Sequence, residues 1–188
     1  MPPLIEPYNP QWKTEFDSLR GVLRHVLDGI DLDIQHVGST AVPGLCAKPI
    51  LDIDIIIQDK TLLDPISARL EKTGYLSKGD QGIPGRFAFR QISARTPQTD
   101  DRQQWQEHHL YLCFSDSLAL HNHLLFRDAL LGNPQLVMAY AQLKMKLIHD
   151  PHITRATYTK HKTDFIVSVL ADMGLSAQDL RAITDANT

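Results

Sequence analysis

This sequence of 188 residues has only two cysteines, and it lacks long apolar runs and an excess of positive charge. Its two cysteines, Cys46 and Cys113, lie far apart and without metal-ligand spacing, which excludes a disulfide-dense secreted module and a cysteine-rich zinc site. No apolar stretch approaches the roughly 20 residues of a membrane-spanning helix, and the first residues do not resemble a signal peptide. We therefore expect a cytoplasmic protein without a membrane partner.

The balance of charges argues against a long nucleic acid as a partner. With 19 basic and 22 acidic residues, the formal net charge is −3 and the isoelectric point is about 6.3. Because no positive field covers the whole molecule, any basic site has to be local. The hydrophobic content of 43% and the charged content of 22% are ordinary for a globular chain.

Hydrophobic spacing divides the chain into a mixed part and a helical part. In the first part, apolar residues recur at helical spacing from Asn9 to Gly29 and from Leu62 to Gly74. Strands are predicted at residues 34–37, 50–57, 75–76, 86–92 and 107–114. Helices are predicted at residues 116–131, 132–149 and 158–173.

These elements predict an α+β fold, in which helices flank a mixed β-sheet and a C-terminal helical segment packs on it. We expect the core to span residues 1–114, the C-terminal helices to span residues 115–174, and a weakly ordered tail to follow at residues 175–188. Together they are expected to form a single compact domain. The polar segment of residues 93–104 is expected to be mobile.

Two aspartates interrupt the most apolar predicted strand, residues 50–57. Asp52 and Asp54 stand at positions i and i+2, so their side chains share one face of the strand. Carboxylates on a half-buried face repel each other and lose hydration unless they are paired or bind a cation. The pattern predicts a site for Mg²⁺ or Mn²⁺, although a solvated face of an edge strand would show the same alternation.

A glycine-serine turn precedes this strand. Gly38, Ser39 and Thr40 follow a short predicted strand, and such a turn exposes backbone N–H groups and a hydroxyl that can bind phosphate. Because Pro43 and Gly44 exclude a long helix after the turn, direct hydrogen bonds rather than a helix dipole are expected to hold the phosphate. A phosphate site beside two carboxylates is what metal-assisted nucleotidyl transfer requires.

The motifs at residues 36–45 and 47–54 resemble the signature of the GrpB (UPF0157) family. That family is similar to the nucleotidyltransferases of the DNA polymerase β type. Further matching blocks extend the resemblance over nearly the whole chain, at residues 82–86, 108–111, 125–128, 158–159 and Lys162. The resemblance implies a nucleotidyltransferase-like fold.

The resemblance also implies a third carboxylate on a neighbouring strand. Glu107 is the acid that the strand at residues 107–114 offers, and a solvated residue at the strand start explains it equally well. His109 alternates onto the same face, where it is either a ligand for metal or phosphate or a structural histidine. Tyr111 stands where the family commonly has a second histidine.

Cationic side chains are needed to hold a triphosphate, and the matching positions provide Lys48, Arg86, Arg90 and Lys162. Arg86 and Arg90 stand at positions i and i+4 of a strand and hence on one face. Arginine can bind phosphate through two hydrogen bonds.

Other polar residues are interpreted as structural or solvated. Lys144 and Lys146 could reach the site from their helix, but a solvated helix face is the preferred interpretation for both. His121 and His123 are expected to be surface or packing residues, because positions i and i+2 of a helix point in different directions.

The combined prediction is a metal-dependent nucleotidyltransferase. Asp52 and Asp54 would hold Mg²⁺ or Mn²⁺ with Glu107 as a further catalytic carboxylate, and an acceptor hydroxyl would displace pyrophosphate from a nucleoside triphosphate. The acceptor is expected to be a small molecule or a protein, and the oligomeric state is left open. The alternatives are a non-catalytic nucleotide-binding or regulatory module and a metal-dependent phosphohydrolase that uses the same acids with His108 and His109.

Overall fold

The computed structural model describes residues 5–101 and 103–186 of the chain. The strands are β1 (Asp33–Val37), β2 (Leu51–Ile57), β3 (Tyr75–Ser77), β4 (Arg86–Gln91) and β5 (His108–Phe114). The helices are α1 (Gln11–Val26), α2 (Leu63–Lys72), α3 (Leu118–Gly132), α4 (Pro134–His149), α5 (Arg155–Asp172) and α6 (Ala177–Asp185). None of the described helices is long and apolar enough to cross a membrane.

The strands form one mixed sheet in the order β1-β2-β5-β4-β3. Only β2 and β5 are parallel, and the other neighbours are antiparallel. The register places Asp52 beside His109, and Asp54 beside Tyr111. Since directly paired residues share a face, β4 contributes three residues to the same side of the sheet. They are Arg86, Ala88 and Arg90, and we call this side the carboxylate face.

The opposite side of the sheet carries the main hydrophobic core. The alternate residues of β2, which are Leu51, Ile53, Ile55 and Ile57, are all completely or almost completely buried. They pack against α1 and α2, whose buried apolar residues recur at helical spacing. This packing explains why β2 is so apolar apart from its two aspartates, and it confirms the predicted α+β fold.

The C-terminal helices pack across the carboxylate face and the glycine-serine turn. In α3, Nη1 of Arg127 donates to Oε1 of Gln35 at 2.8 Å and to the carbonyl oxygen of His36 at 3.0 Å. A second apolar cluster joins the segment after the turn to the helices through Val42, Leu45, Leu130 and Tyr140. These contacts fix α3 and α4 relative to the first residues of the site.

Two segments are more structured than the sequence suggests. In the polar segment, Thr96 is fully buried, the indole N–H of Trp105 donates to the carbonyl oxygen of Pro97 at 2.8 Å, and Gln98 donates its backbone N–H to Thr73. This part of the segment is therefore hydrogen-bonded to the chain around β3, and its mobility stays a prediction. Residues 177–185 form α6, which packs on α5, instead of a weakly ordered tail; residues 187–188 lie outside the described residues.

Candidate functional site

The glycine-serine turn lies directly against Asp52. Gly38 has a φ of 70°, and a Cβ atom on it would overlap the carboxylate of Asp52 and lie 3.0 Å from that residue's Cβ and Cγ atoms. Glycine is therefore required here both for the backbone conformation and for space. The turn continues only as the three-residue 3-10 helix Ser39–Ala41, which agrees with the expected absence of a long helix.

A small pocket of about 240 Å³ opens between this turn, the start of β2, and the helices α4 and α5. We call it the lysine pocket, because three lysines line it together with one carboxylate. Its polar lining residues are Ser39, Thr40, Lys48, Asp52, His109, Lys144, Tyr158 and Lys162. Six of these eight were predicted as site residues from the sequence, and the structure brings them together.

Lys144 is the first functional candidate that the sequence interpretation considered and set aside. It is only 2% exposed, and its Nζ donates to the hydroxyl of Ser39 at 3.0 Å and to the carbonyl oxygen of Cys46. Burial lowers its pKa to about 7. The expected solvated position is thus wrong for Lys144, whereas Lys146 is exposed as expected.

The other two lysines give the pocket a positive charge. Burial lowers the pKa of Lys162, with the carboxylate of Asp52 acting against this shift and Lys48 adding to it. The Nζ atom of Lys162 lies 5.5 Å from the ring centroid of Tyr158. Three lysines around one carboxylate favour a ligand with several negative charges.

Thr40 and His109 are held by partners inside the site. The hydroxyl of Thr40 lies 2.9 Å from Nε2 of His36, and the residue is buried. Nδ1 of His109 lies 3.0 Å from Oδ1 of Asp52, and this hydrogen bond raises the pKa of His109 against the effect of burial. His109 therefore orients the one aspartate that faces the lysine pocket.

Asp54 occupies a different environment from Asp52. It is completely buried, and its Oδ2 accepts a hydrogen bond of 2.8 Å from Nδ1 of His123 in α3. Burial lowers the pKa of His123, but Asp54 outweighs this effect and raises it overall. The expectation that His123 is only a surface or packing residue is therefore wrong, while His121 is exposed on the other side of the helix.

One carboxylate oxygen of Asp54 is placed in a way that suits a cation. Oδ1 of Asp54 is buried and has no hydrogen-bond partner, and Asp52 stands on the same face of β2. Oxygen donors of this kind fit a hard cation such as Mg²⁺ or Mn²⁺. Within residues 5–101 and 103–186, however, no three acidic, histidine or cysteine side chains gather in a way that could hold a metal ion.

Glu107, Arg86 and Arg90 lie outside the lysine pocket. Glu107 is exposed, directly precedes β5 and lines a separate groove instead of the lysine pocket, and no group of three possible metal ligands among the described residues includes it. Arg90 is exposed and lines a separate groove with Glu107. Arg86 stacks over Tyr111 at 4.6 Å from the ring centroid, and its buried Nε has no hydrogen-bond partner.

His108 belongs to the hydrophobic core and not to the site. Its Nε2 lies 2.6 Å from the hydroxyl of Tyr75, and burial lowers its pKa to about 4. Successive residues of a strand point to opposite faces, so His108 and His109 cannot act as one pair of ligands. The histidine pair of the phosphohydrolase alternative is therefore wrong.

Sequence comparison places these motifs in a family. The profile described as "GrpB protein" matches residues 2–172. The chain is 30% identical over 159 residues to UPF0157 protein YqkA of Bacillus subtilis (strain 168), which covers 85% of this chain but only 43% of YqkA. It is 28% identical over 171 residues to glutamate-rich protein GrpB of Alkalihalophilus pseudofirmus, covering 90% of this chain and 95% of that protein.

Solved structures agree with this assignment. The crystal structure of conserved protein GrpB from Enterococcus faecalis superposes with a TM-score of 0.73 at 26% identity and covers 95% of this chain and 98% of that chain. A structure of Cid1, described with an RNA terminal uridylyl transferase activity, superposes with a TM-score of 0.55 at 16% identity and covers 82% of this chain and 46% of that chain. The likeness to Cid1 shows a nucleotidyltransferase fold. On the match to its sequence profile, the chain belongs to the GrpB family.

Proposed function

We propose that the protein binds a nucleoside triphosphate with its phosphates in the lysine pocket and transfers the nucleoside monophosphate group to an acceptor hydroxyl. The observation that carries this proposal is the convergence of Lys48, Lys144 and Lys162 on the side chains of Ser39 and Asp52. A pocket with this lining matches a polyphosphate in charge and offers hydrogen-bond donors from several directions.

The size of the pocket supports binding of the phosphates rather than of the whole nucleotide. Its volume of about 240 Å³ lies below the roughly 300–1,000 Å³ of pockets that enclose drug-sized ligands. A phosphate chain would fill it, and the nucleoside would extend beyond it.

Lys144 and the turn would make the most direct contacts with the phosphates. An ammonium group has three donors, and the contacts with Ser39 and the Cys46 carbonyl use two of them. The third is left for a phosphate oxygen. The backbone N–H groups after Gly38 would bind the same anion, as is typical of such turns.

A Mg²⁺ or Mn²⁺ ion held by Asp52 and Asp54 would neutralise phosphate charge and make the α-phosphorus more electrophilic. His109 would keep the carboxylate of Asp52 in one orientation through the 3.0 Å hydrogen bond. Glu107 has no part in this arrangement. The acceptor, by the charge of the whole chain, would be a small molecule or a protein rather than a long nucleic acid.

One observation favours a second candidate, a nucleotide-binding module without turnover. Asp54 is completely buried and already paired with His123. If this pair persists when nucleotide binds, Asp52 alone would face the phosphates, and binding could proceed without transfer.

The products of nucleotide cleavage distinguish the candidate functions, because they show which phosphate bond is broken. We expect the protein to convert at least one of ATP, CTP, GTP and UTP slowly to the monophosphate and pyrophosphate in the presence of Mg²⁺, with water as a poor acceptor. Asp52→Asn should abolish this cleavage, and Asp172→Asn, at an exposed residue of α5 outside the lysine pocket, should retain it. Anion-exchange chromatography of the products makes the measurement.

Products of diphosphate and inorganic phosphate would instead support a phosphohydrolase. Nucleotide binding without any cleavage would support the non-catalytic module. Either result would contradict the proposed transfer.

A further inference from the structure

A second concave surface adjoins the lysine pocket across His109. This groove, which we call the β4 groove, has a volume of about 760 Å³ and is lined by residues of β4 and β5, by the segments that flank them and by Arg155 at the start of α5. His109 lines both the lysine pocket and the β4 groove. A ligand in the groove would therefore lie beside the side chain that holds Asp52.

The floor of the β4 groove is the carboxylate face of the sheet. Ala88 is paired with Tyr111 of β5 and stands between Arg86 and Arg90 on that face. Its side chain is a single methyl group, so it leaves space above β4. Tyr111 adds aromatic surface on which the carbon skeleton of a ligand could pack, whereas Trp105 lines the groove but is almost completely buried.

The charge of the β4 groove is positive, although the whole chain is acidic. Lys78, Arg90 and Arg155 line it, against the single carboxylate of Glu107. These three cationic side chains are exposed at the surface of the groove. Such a lining attracts an anionic ligand and disfavours a cationic one.

We infer that the β4 groove binds the acceptor, and that this acceptor is a hydroxyl-bearing small molecule with an anionic group, a phosphate ester or a carboxylate. The inference rests on the proposed function. In the transfer, the acceptor oxygen forms a bond to the α-phosphorus and the bond between that phosphorus and the bridging oxygen to the β-phosphate breaks. Pyrophosphate leaves with the electron pair of that bond, and the hydroxyl proton passes to solvent.

Another large groove shares no lining residue with the lysine pocket and is therefore a poorer candidate for the acceptor. A groove of about 780 Å³ beside α6 is lined by His123, Arg86 and apolar residues around Phe114. Neither Asp52 nor His109 lines it, so a hydroxyl bound there would be separated from the lysine pocket. The lysine pocket itself, at about 240 Å³, has no room for an acceptor beside the phosphates.

Four probes that share a sugar-like skeleton test the inference. They are glucose 6-phosphate, gluconate, glucose and glucosamine, which carry a phosphate, a carboxylate, no charge and a positive charge. Calorimetric titration of the whole protein should show that at least one anionic probe binds, with glucose and glucosamine about tenfold or more weaker. Whichever anionic probe binds more tightly identifies the anionic group.

Two arginine variants then test whether the anionic probe binds in the β4 groove. Arg90→Gln should weaken binding of the anionic probe by about tenfold or more, since a hydrogen bond between arginine and the anion is lost. Arg95→Gln, an exposed arginine outside the groove, should leave probe binding within about twofold. The affinity for Mg²⁺-bound ATP should be the same in Arg90→Gln as in the wild type.

The outcomes separate this inference from the proposed function. If neither anionic probe binds while a nucleoside triphosphate does, the acceptor assignment is overturned and the proposed function stands. If Arg90→Gln weakens triphosphate binding by about tenfold, the groove holds the nucleotide and the acceptor assignment is also overturned. If no triphosphate binds, the proposed function fails, whatever the probes do.

Discussion

At about pH 6, where the amine of Lys144 is charged, replacing Lys144 by methionine is expected to weaken triphosphate binding by about 10- to 100-fold, because a charged hydrogen bond is worth roughly 1.5–3 kcal/mol. The side chain is buried between Ser39 and the Cys46 carbonyl, and it extends the positive lining of the lysine pocket towards the turn. Methionine has a similar length and suits an apolar site. Calorimetric titration with Mg²⁺-bound nucleotide measures the loss.

The same variant should also change how stability depends on pH. The pKa of Lys144 is lowered to about 7 in the folded protein, and it returns to about 10.5 on unfolding. Between these values the unfolded state binds the extra proton, so stability rises with pH across this window. From pH 7 to pH 9.5, Lys144 should add about 1–3 kcal/mol to the free energy of unfolding of the wild type, and this contribution should be absent in Lys144→Met.

Urea unfolding at several pH values makes this measurement, and Lys146→Met is the matched control. Lys146 is exposed on the same helix, so its removal should leave the pH dependence of the wild type intact. Equal pH dependence in the wild type and Lys144→Met would show that Lys144 is not buried as described.

Replacing His123 by leucine is expected to destabilise the protein by about 3–5 kcal/mol, because the buried carboxylate of Asp54 would be left without its partner. Asp54 is completely buried, and His123 donates the hydrogen bond to its Oδ2. Leucine would fill the space but would leave the carboxylate without this donor. Thermal or urea unfolding measures the effect.

His121→Leu is the control for this prediction, since the residue is exposed two positions earlier in α3, and its effect should stay within about 0.5 kcal/mol. The double variant Asp54→Leu/His123→Leu should recover much of the stability lost in His123→Leu, because no buried charge remains. A loss in His123→Leu as small as that in His121→Leu would contradict the buried pair.

Local sequence patterns predicted the fold well, because the strands and helices that surround its core are regularly amphipathic. The alternation in β2 and the helical spacing in α1 identify the faces that meet in the core. The start of β5 was predicted one residue too early, at Glu107, whereas the suggestion of Glu107 as a ligand came from the family resemblance. Element boundaries depend on hydrogen bonds between distant segments, and the sequence pattern does not resolve them at this precision.

The site could be predicted where its residues are close in sequence. Gly38, Ser39, Lys48 and Asp52 belong to one continuous motif, and the structure brings them together with Lys162. Lys144 was considered and set aside, because its contact with Cys46 joins residues 98 positions apart and is not visible in the local pattern. One signal was present: Lys144 falls at helical spacing between the buried residues Tyr140 and Leu147, which places it on the buried face of α4.

His123 gave no comparable signal. It follows the exposed His121 at position i+2, and α3 is apolar on most sides, so periodicity does not indicate which residue meets β2. Only the packing of α3 across the carboxylate face brings its imidazole to Asp54. The partner of a buried carboxylate in this fold therefore depends on tertiary structure.

Calorimetric titration of ATP, CTP, GTP and UTP with Mg²⁺, on the wild type and on Asp52→Asn, shows whether the lysine pocket binds a triphosphate. We expect at least one nucleotide to bind in a Mg²⁺-dependent way, and Asp52→Asn to weaken its binding by about tenfold or more. Asp172→Asn should bind the same nucleotide as the wild type does. If no nucleotide binds to the folded wild-type protein, or if Asp52→Asn binds as tightly as the wild type, the lysine pocket is not a triphosphate site.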